Sequence, residues 1–135
     1  ERFDADPAAL AKLTTDGQPT GVATIPVVSI HSYNDPQAAV EAQYEYRAKV
    51  QATGNGPRLV QAYTDEPAHT AQSWAELASA IDALMQWIDK GARPTPQSIA
   101  AGCEKLLSTY DGPCRYHPEY EPKPYATKYA RSAVR

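Results

Sequence analysis

From Gln72 to Gly91 the chain repeats apolar residues at three- and four-residue steps: Trp74, Leu77, Ala78, Ile81, Leu84, Met85 and Ile88. That spacing is the period of an α-helix with one apolar face. Lys90 and Gly91 supply the basic last turn and the terminal glycine that close such a helix. The stripe is the expected burial face, with Trp74 and Trp87 on it or at its margin and read as core. Upstream the period changes. Ile25, Val27, Val28 and Ile30 crowd into TIPVVSIHS without clean alternation, and Leu59, Val60, Ala62 and Tyr63 form a second run in RLVQAYT. The first, a short β-branched run, is what a central parallel strand covered on both faces looks like, and the second is a further short strand. Between them, DPQAAVEAQYEYRAKVQATG sets Ala39, Val40, Gln43, Tyr44, Arg47 and Val50 around helical turns and stops at Gly54. Strand, helix and strand in this order predict a right-handed, parallel βαβ unit.

The flanks read differently. Residues 1–24 form a lead-in, in which DADPAALAKLTTDG offers Asp6 as a helix cap, Pro7 at the first helical position and Gly17 past the end. Residues 25–92 hold the βαβα core. Residues 93–135 add a short helix from Ser98 to Leu107 and then YDGPCRYHPEYEPKPYATKY, too rich in proline for regular structure. Its tyrosines, Tyr110, Tyr116, Tyr120, Tyr125 and Tyr129, suit an extended arm that clamps the body with amphipathic rings. The class is therefore α/β, but with a deficit. Two strands leave sheet edges unpaired, and so small a sheet is marginal alone. Another polypeptide, or a missing N-terminal part, is expected to complete it.

Composition narrows the function classes. The 135 residues carry a formal net charge of -3, which lacks the basic footprint of a nucleic-acid binder. No apolar run approaches the roughly 18 residues that span a bilayer. The first residues, Glu-Arg-Phe, show neither an initiator Met nor the layout of a signal peptide, which predicts a chain trimmed or cut from something longer. The only cysteines, Cys103 and Cys114, point to a disulfide and an oxidising compartment. A zinc site using Cys103, Cys114 and His117 is the alternative, although no CxxC pair and no clear fourth ligand accompany it. The loop a disulfide would close is short, so its opening is expected to loosen the arm and leave Asp35 and His69 in place.

Chemistry-bearing residues gather where the two strands end. Open α/β sheets place ligands beyond the carboxyl ends of their strands. There, after the first strand, stands Asp35 in SYNDP, and after the second stands His69 in TDEPAHT. Neighbouring strands run about 4.8 Å apart, so an acid and an imidazole on these loops can meet. A carboxylate there would fix the imidazole tautomer and stabilise its protonated form, as a serine-hydrolase base requires. Acid before histidine, with the nucleophile upstream, is the chain order of α/β-hydrolases. The plainer reading of Asp35 is a turn residue that caps a helix. His31, on the first strand, reads as a packed or hydrogen-bonded residue, and His117 in the arm as solvated.

TGVATIPVVSIHSYNDPQAAVEAQYEYRAKVQATG, then RLVQAYTDEPAHTAQSWAELASAIDALMQWIDKGARPTP, and the ending CEKLLSTYDGPCRYHPEYEPKP resemble the C-terminal part of secreted bacterial α/β-hydrolase-fold serine esterases, with tannase-like and feruloyl-esterase-like relatives. The resemblance implies Asp35 as triad acid, His69 as triad base and Glu76 as a carboxylate that braces the histidine loop from the next helix. It also implies secretion or a periplasmic location, a small-molecule ester substrate, and no cofactor or metal. Two departures matter. Such relatives often carry Cys directly after the histidine, where Thr70 stands here. Nothing matches Gly-x-Ser-x-Gly, so the nucleophile elbow and its oxyanion-hole amides are absent. The expected arrangement is a companion N-terminal chain that carries the serine and most of the sheet, in a two-chain or nicked enzyme. Alternative readings are a non-catalytic interaction subunit, or the same fold performing amide hydrolysis or acyl transfer.

Overall fold

The computed structural model describes residues 4–129, so the ends of the lead-in and of the arm lie outside it. Helix α1 (Pro7–Gly17) starts as its sequence predicts: Asp6 accepts a hydrogen bond from the Ala9 amide at 2.8 Å, with proline in the first turn. It buries none of its residues. Strand β1 (Val27–Ser32) pairs in parallel with β2 (Leu59–Thr64), in a register that sets Val27 opposite Leu59 and Ser32 opposite Thr64. Helix α2 (Glu41–Ala52) makes the crossover. It begins several residues after Asp35, because Asp35 holds the intervening turn instead of capping the helix directly.

Helix α3 (Trp74–Lys90) is capped at both ends. The Ser73 hydroxyl accepts from the Glu76 amide while the Glu76 carboxylate accepts from the Ser73 amide, a reciprocal capping box. At the other end Gly91, at φ 69°, takes the left-handed turn that glycine adopts without a Cβ penalty. Helix α4 (Pro96–Leu106) follows a capping box of its own between Thr95 and Ser98, and a short α5 (Tyr125–Tyr129) lies near the end of the described residues. The protein is thus mixed α/β, a two-stranded parallel sheet with five helices among the described residues. Helix α3 lies against β1 and α4, and α4 against β2.

The core forms where β2 meets α4. Val60, Ala62 and Ile99 are buried, and Val28, Ile30, Ala80, Ala83, Trp87 and Tyr116 pack around them. Every residue of β2 is buried, whereas β1 is half-buried over five of its six positions. The covering on both faces that the first apolar run predicts therefore fails for β1, and β2 is the covered strand. Among the described residues β1 has β2 on one edge and no strand on the other.

Helix α3 departs from its pattern more sharply. Its buried residues are Ala75, Glu76 and Ser79, and Ala80, Ala83 and Trp87 pack on the core beside them. At about 100° per residue that face lies nearly opposite the stripe of larger apolar residues. Trp74 is 71% exposed, Ile81 62% and Ile88 55%. The placement of Trp87 in the core holds, and that of Trp74 is corrected. Small side chains let α3 approach α4 and the sheet closely, and the bulky stripe is left facing outward.

Cys103 and Cys114 form a disulfide with a Cα–Cα distance of 5.9 Å. This removes the zinc alternative, since both thiolates it needs are spent in the bond. The disulfide is compatible with an extracellular location, and no helix among the described residues is long and apolar enough to cross a membrane. The arm beyond Cys114 does clamp the body. Tyr116 makes an isolated antiparallel bridge with Thr64, and Tyr120 stacks on Tyr33 at 4.5 Å. Tyr110 and Tyr125 are exposed, and the described side chains end before Tyr129.

Candidate active site

Strand β1 ends at Ser32, and the chain then turns tightly, the Asp35 amide donating back to the Ser32 carbonyl at 3.3 Å. The turn is built around the Asp35 carboxylate. Its Oδ1 accepts from the amides of Gln37 at 2.8 Å and Ala38 at 3.0 Å. Its Oδ2 lies 2.7 Å from Nδ1 of His69. The Asp35 side chain is 6% exposed and that of His69 40% exposed, so a sheltered acid backs an imidazole open to solvent. The Ala38 amide first, and with it the His69 and Gln37 hydrogen bonds, holds the Asp35 carboxyl at a pKa of about 2, against the opposing effect of desolvation.

An ionised Asp35 accepts hydrogen bonds only, so the imidazole proton between the two groups sits on His69 Nδ1. In the neutral imidazole Nε2 then carries the free lone pair. That is the protonation state in which an imidazole takes a proton from a hydroxyl.

Strand ends and short polar links hold the two loops together. The Tyr33 amide donates to the Thr64 carbonyl at 3.0 Å, and the Ser32 hydroxyl to the Glu66 carbonyl at 2.5 Å. The Asn34 side chain donates to the Asp65 carbonyl at 3.1 Å. His31, as its strand position predicts, is a hydrogen-bonded residue: its Nε2 lies 3.1 Å from the Ala38 carbonyl and secures the far side of the aspartate turn. On the histidine loop, Thr70 has φ 54°. A β-branched residue in the left-handed region is strained, at a cost of about 1–3 kcal/mol, and this one directly follows His69.

Behind the histidine loop lies a buried polar cluster. Glu76, fully buried, accepts from the Ser73 amide at 2.7 Å through Oε2 and from the Arg115 amide at 2.6 Å through Oε1. It thus joins the start of α3 to the arm. Glu66, also fully buried, receives the Thr64 hydroxyl and lies 3.2 Å from the Arg115 guanidinium. Burial, and after it the hydrogen bond to Glu76, pushes the Glu66 carboxyl up. The arm comes close enough to do this because residue 112 is glycine. A Cβ there would lie 2.6 Å from that of Ser73, whose hydroxyl donates to the Pro113 carbonyl at 2.7 Å.

The sequence brings Asp35, His69 and Glu76 to notice; Glu66, Arg115 and the pairing of His117 escape it. His117 is not simply solvated: its Nε2 lies 3.0 Å from Asp65 Oδ2, and its ring meets Tyr33 edge-on at 5.2 Å. A carboxylate in the loop that carries the histidine, and an arginine next to a cysteine, were the available signals. Among the described residues no group of His, Cys, Asp and Glu could hold a metal ion. A groove of about 530 Å³ between α3 and α4, lined by Asp82, Gln86, Arg93 and Lys105 among others, contains neither Asp35 nor His69, so it lies apart from their chemistry. No protein-family model matches the chain, and neither curated proteins nor solved structures give a match.

Proposed function

We propose that this chain supplies the acid and base of a Ser-His-Asp triad in a secreted or periplasmic serine hydrolase that cleaves carboxylic esters. The nucleophilic serine resides on a companion N-terminal segment or chain. The observation that carries this reading is the 2.7 Å contact between His69 Nδ1 and a sheltered, ionised Asp35 at the ends of two adjacent parallel strands. His69 Nε2 takes the proton from the serine hydroxyl as its oxygen attacks the ester carbonyl, and Asp35 stabilises the imidazolium. The imidazolium returns that proton to the departing alkoxide. A water molecule, deprotonated by the same Nε2, attacks the acyl carbonyl, and the imidazolium returns that proton to the serine oxygen as the carboxylic acid departs.

The edge of β1 that is open among the described residues and the outward apolar stripe of α3 support the companion, which would add strands and cover the helix. They equally favour a second reading, a non-catalytic subunit that docks by the same surfaces. Amide hydrolysis and acyl transfer use the same triad. Turnover of a small activated ester by the companion complex, with and without Asp35→Asn, separates catalysis from docking. A loss of about 10⁴ in kcat with the complex intact supports the triad; an unchanged rate refutes it.

A further inference from the structure

The Asp35–His69 contact explains the imidazole's tautomer but not what holds the backbone of the histidine loop. Between Pro67 and Gln72 that loop has no regular structure, and it contains the strained Thr70. Arg115 reaches it from the arm. One terminal guanidinium nitrogen donates to the Ala71 carbonyl at 3.0 Å, two residues beyond His69, and the same nitrogen lies 3.2 Å from Glu66 Oε1. The guanidinium Nε lies 3.6 Å from Glu76 Oε1, and the Arg115 amide donates to that same oxygen. Glu66 sits three residues before His69 and Glu76 seven after it, so one arginine spans both ends of the loop and its middle.

The seat of this arginine is built from buried groups. Glu66 and Glu76 are both fully buried. Arg115 follows Cys114 directly, and the disulfide ties Cys114 to the buried Cys103 of α4. Tyr116, the next residue, donates to the Glu76 carbonyl at 2.7 Å. The guanidinium fork has a fixed shape and a permanent charge, which lysine cannot reproduce at a multidentate site.

We propose that Arg115 is the positioning residue of His69: it braces the histidine loop from the disulfide-anchored arm, using the buried Glu66–Glu76 pair as its seat. Its consequence for catalysis rests on the triad reading above, whereas its structural effect does not. A loop released by about 1 Å would misalign Nε2 and reduce kcat about a hundredfold.

The test is the imidazole nitrogen spectrum of the ¹⁵N-labelled chain, which reports the tautomer of each histidine and needs no serine or substrate. In the parent protein His69 is expected as the Nδ1–H tautomer. In Arg115→Gln the Nδ1–H population at His69 should fall while the signals of His31, on the far side of the aspartate turn, stay in place. Arg115→Lys retains charge beside the two acids, guards against a variant that fails to fold, and should show the same loss at His69. An unchanged His69 spectrum in either folded variant overturns the proposal. Equal disturbance of His31 and His69 overturns it too, because it marks general loosening. Failure of the triad reading would instead leave these spectra as predicted and the ester uncleaved.

Discussion

Opening the Cys103–Cys114 disulfide tests how much of the fold depends on the arm. Cys103 is fully buried and Cys114 half-buried, so Cys103→Ala with Cys114→Ser removes the bond without burying a hydroxyl. The bridged residues are 11 apart in sequence. On the chain-entropy model a loop of that length stabilises by about 2.8 kcal/mol at 25 °C. With an unfolding entropy near 2.1 cal/mol/K per residue, this corresponds to a fall of about 10 °C in Tm for a chain of this size. Thermal and urea unfolding followed by circular dichroism, parent against double variant, measure it. A loss of less than about 1 kcal/mol would mean that the arm holds its place through Tyr116, Arg115 and Tyr120 alone, and would refute the assignment of the cross-link as its anchor. The sequence alone predicts that opening the bond leaves Asp35 and His69 in place, but Arg115 and Tyr116 carry the tether on to Glu76 and Ala71, so the effect should reach the histidine loop.

Two further outcomes are expected. Asp35 has a folded pKa of about 2 against an ordinary 3.8, so its stabilising contribution is complete above the unfolded value and disappears as pH falls through the folded one. Unfolding measured by denaturant between pH 4 and pH 2 (about the two values) should therefore show a shallower acid loss in Asp35→Asn than in the parent, and identical slopes would contradict the hydrogen-bonded carboxylate. Ile81 and Ile88 are exposed on α3, so Ile81→Lys with Ile88→Lys should change the stability of the isolated chain by no more than about 0.5 kcal/mol per site while weakening association with the companion; a large destabilisation in isolation would show that the stripe is already covered.

The elements themselves were legible because their signals are local. Asp6 with Pro7, and Lys90 with Gly91, mark helix ends through their own backbone chemistry, and the βαβ unit follows from two apolar runs separated by a helical period. The pairing of Asp35 with His69 could be reached from topology alone, since parallel adjacent strands bring their following loops to one edge. What periodicity cannot reveal is which neighbour an apolar face meets. The stripe from Trp74 to Ile88 looked like the way into this chain's own core, yet α3 packs through alanine, serine and a buried glutamate on its other side. The partners of Glu76 were invisible for a related reason. Glu66 and Arg115 look like solvated surface in sequence until the disulfide and Gly112 bring the arm against the histidine loop.

The central claim is that Asp35 and His69 serve a serine held elsewhere. Labelling the native preparation with a fluorescent fluorophosphonate, followed by a denaturing gel, tests it most directly. Label is expected on a second polypeptide that co-purifies with this 14.7 kDa chain, and it should be lost when His69 is replaced by alanine. No label on any polypeptide, with this chain eluting alone, would contradict it.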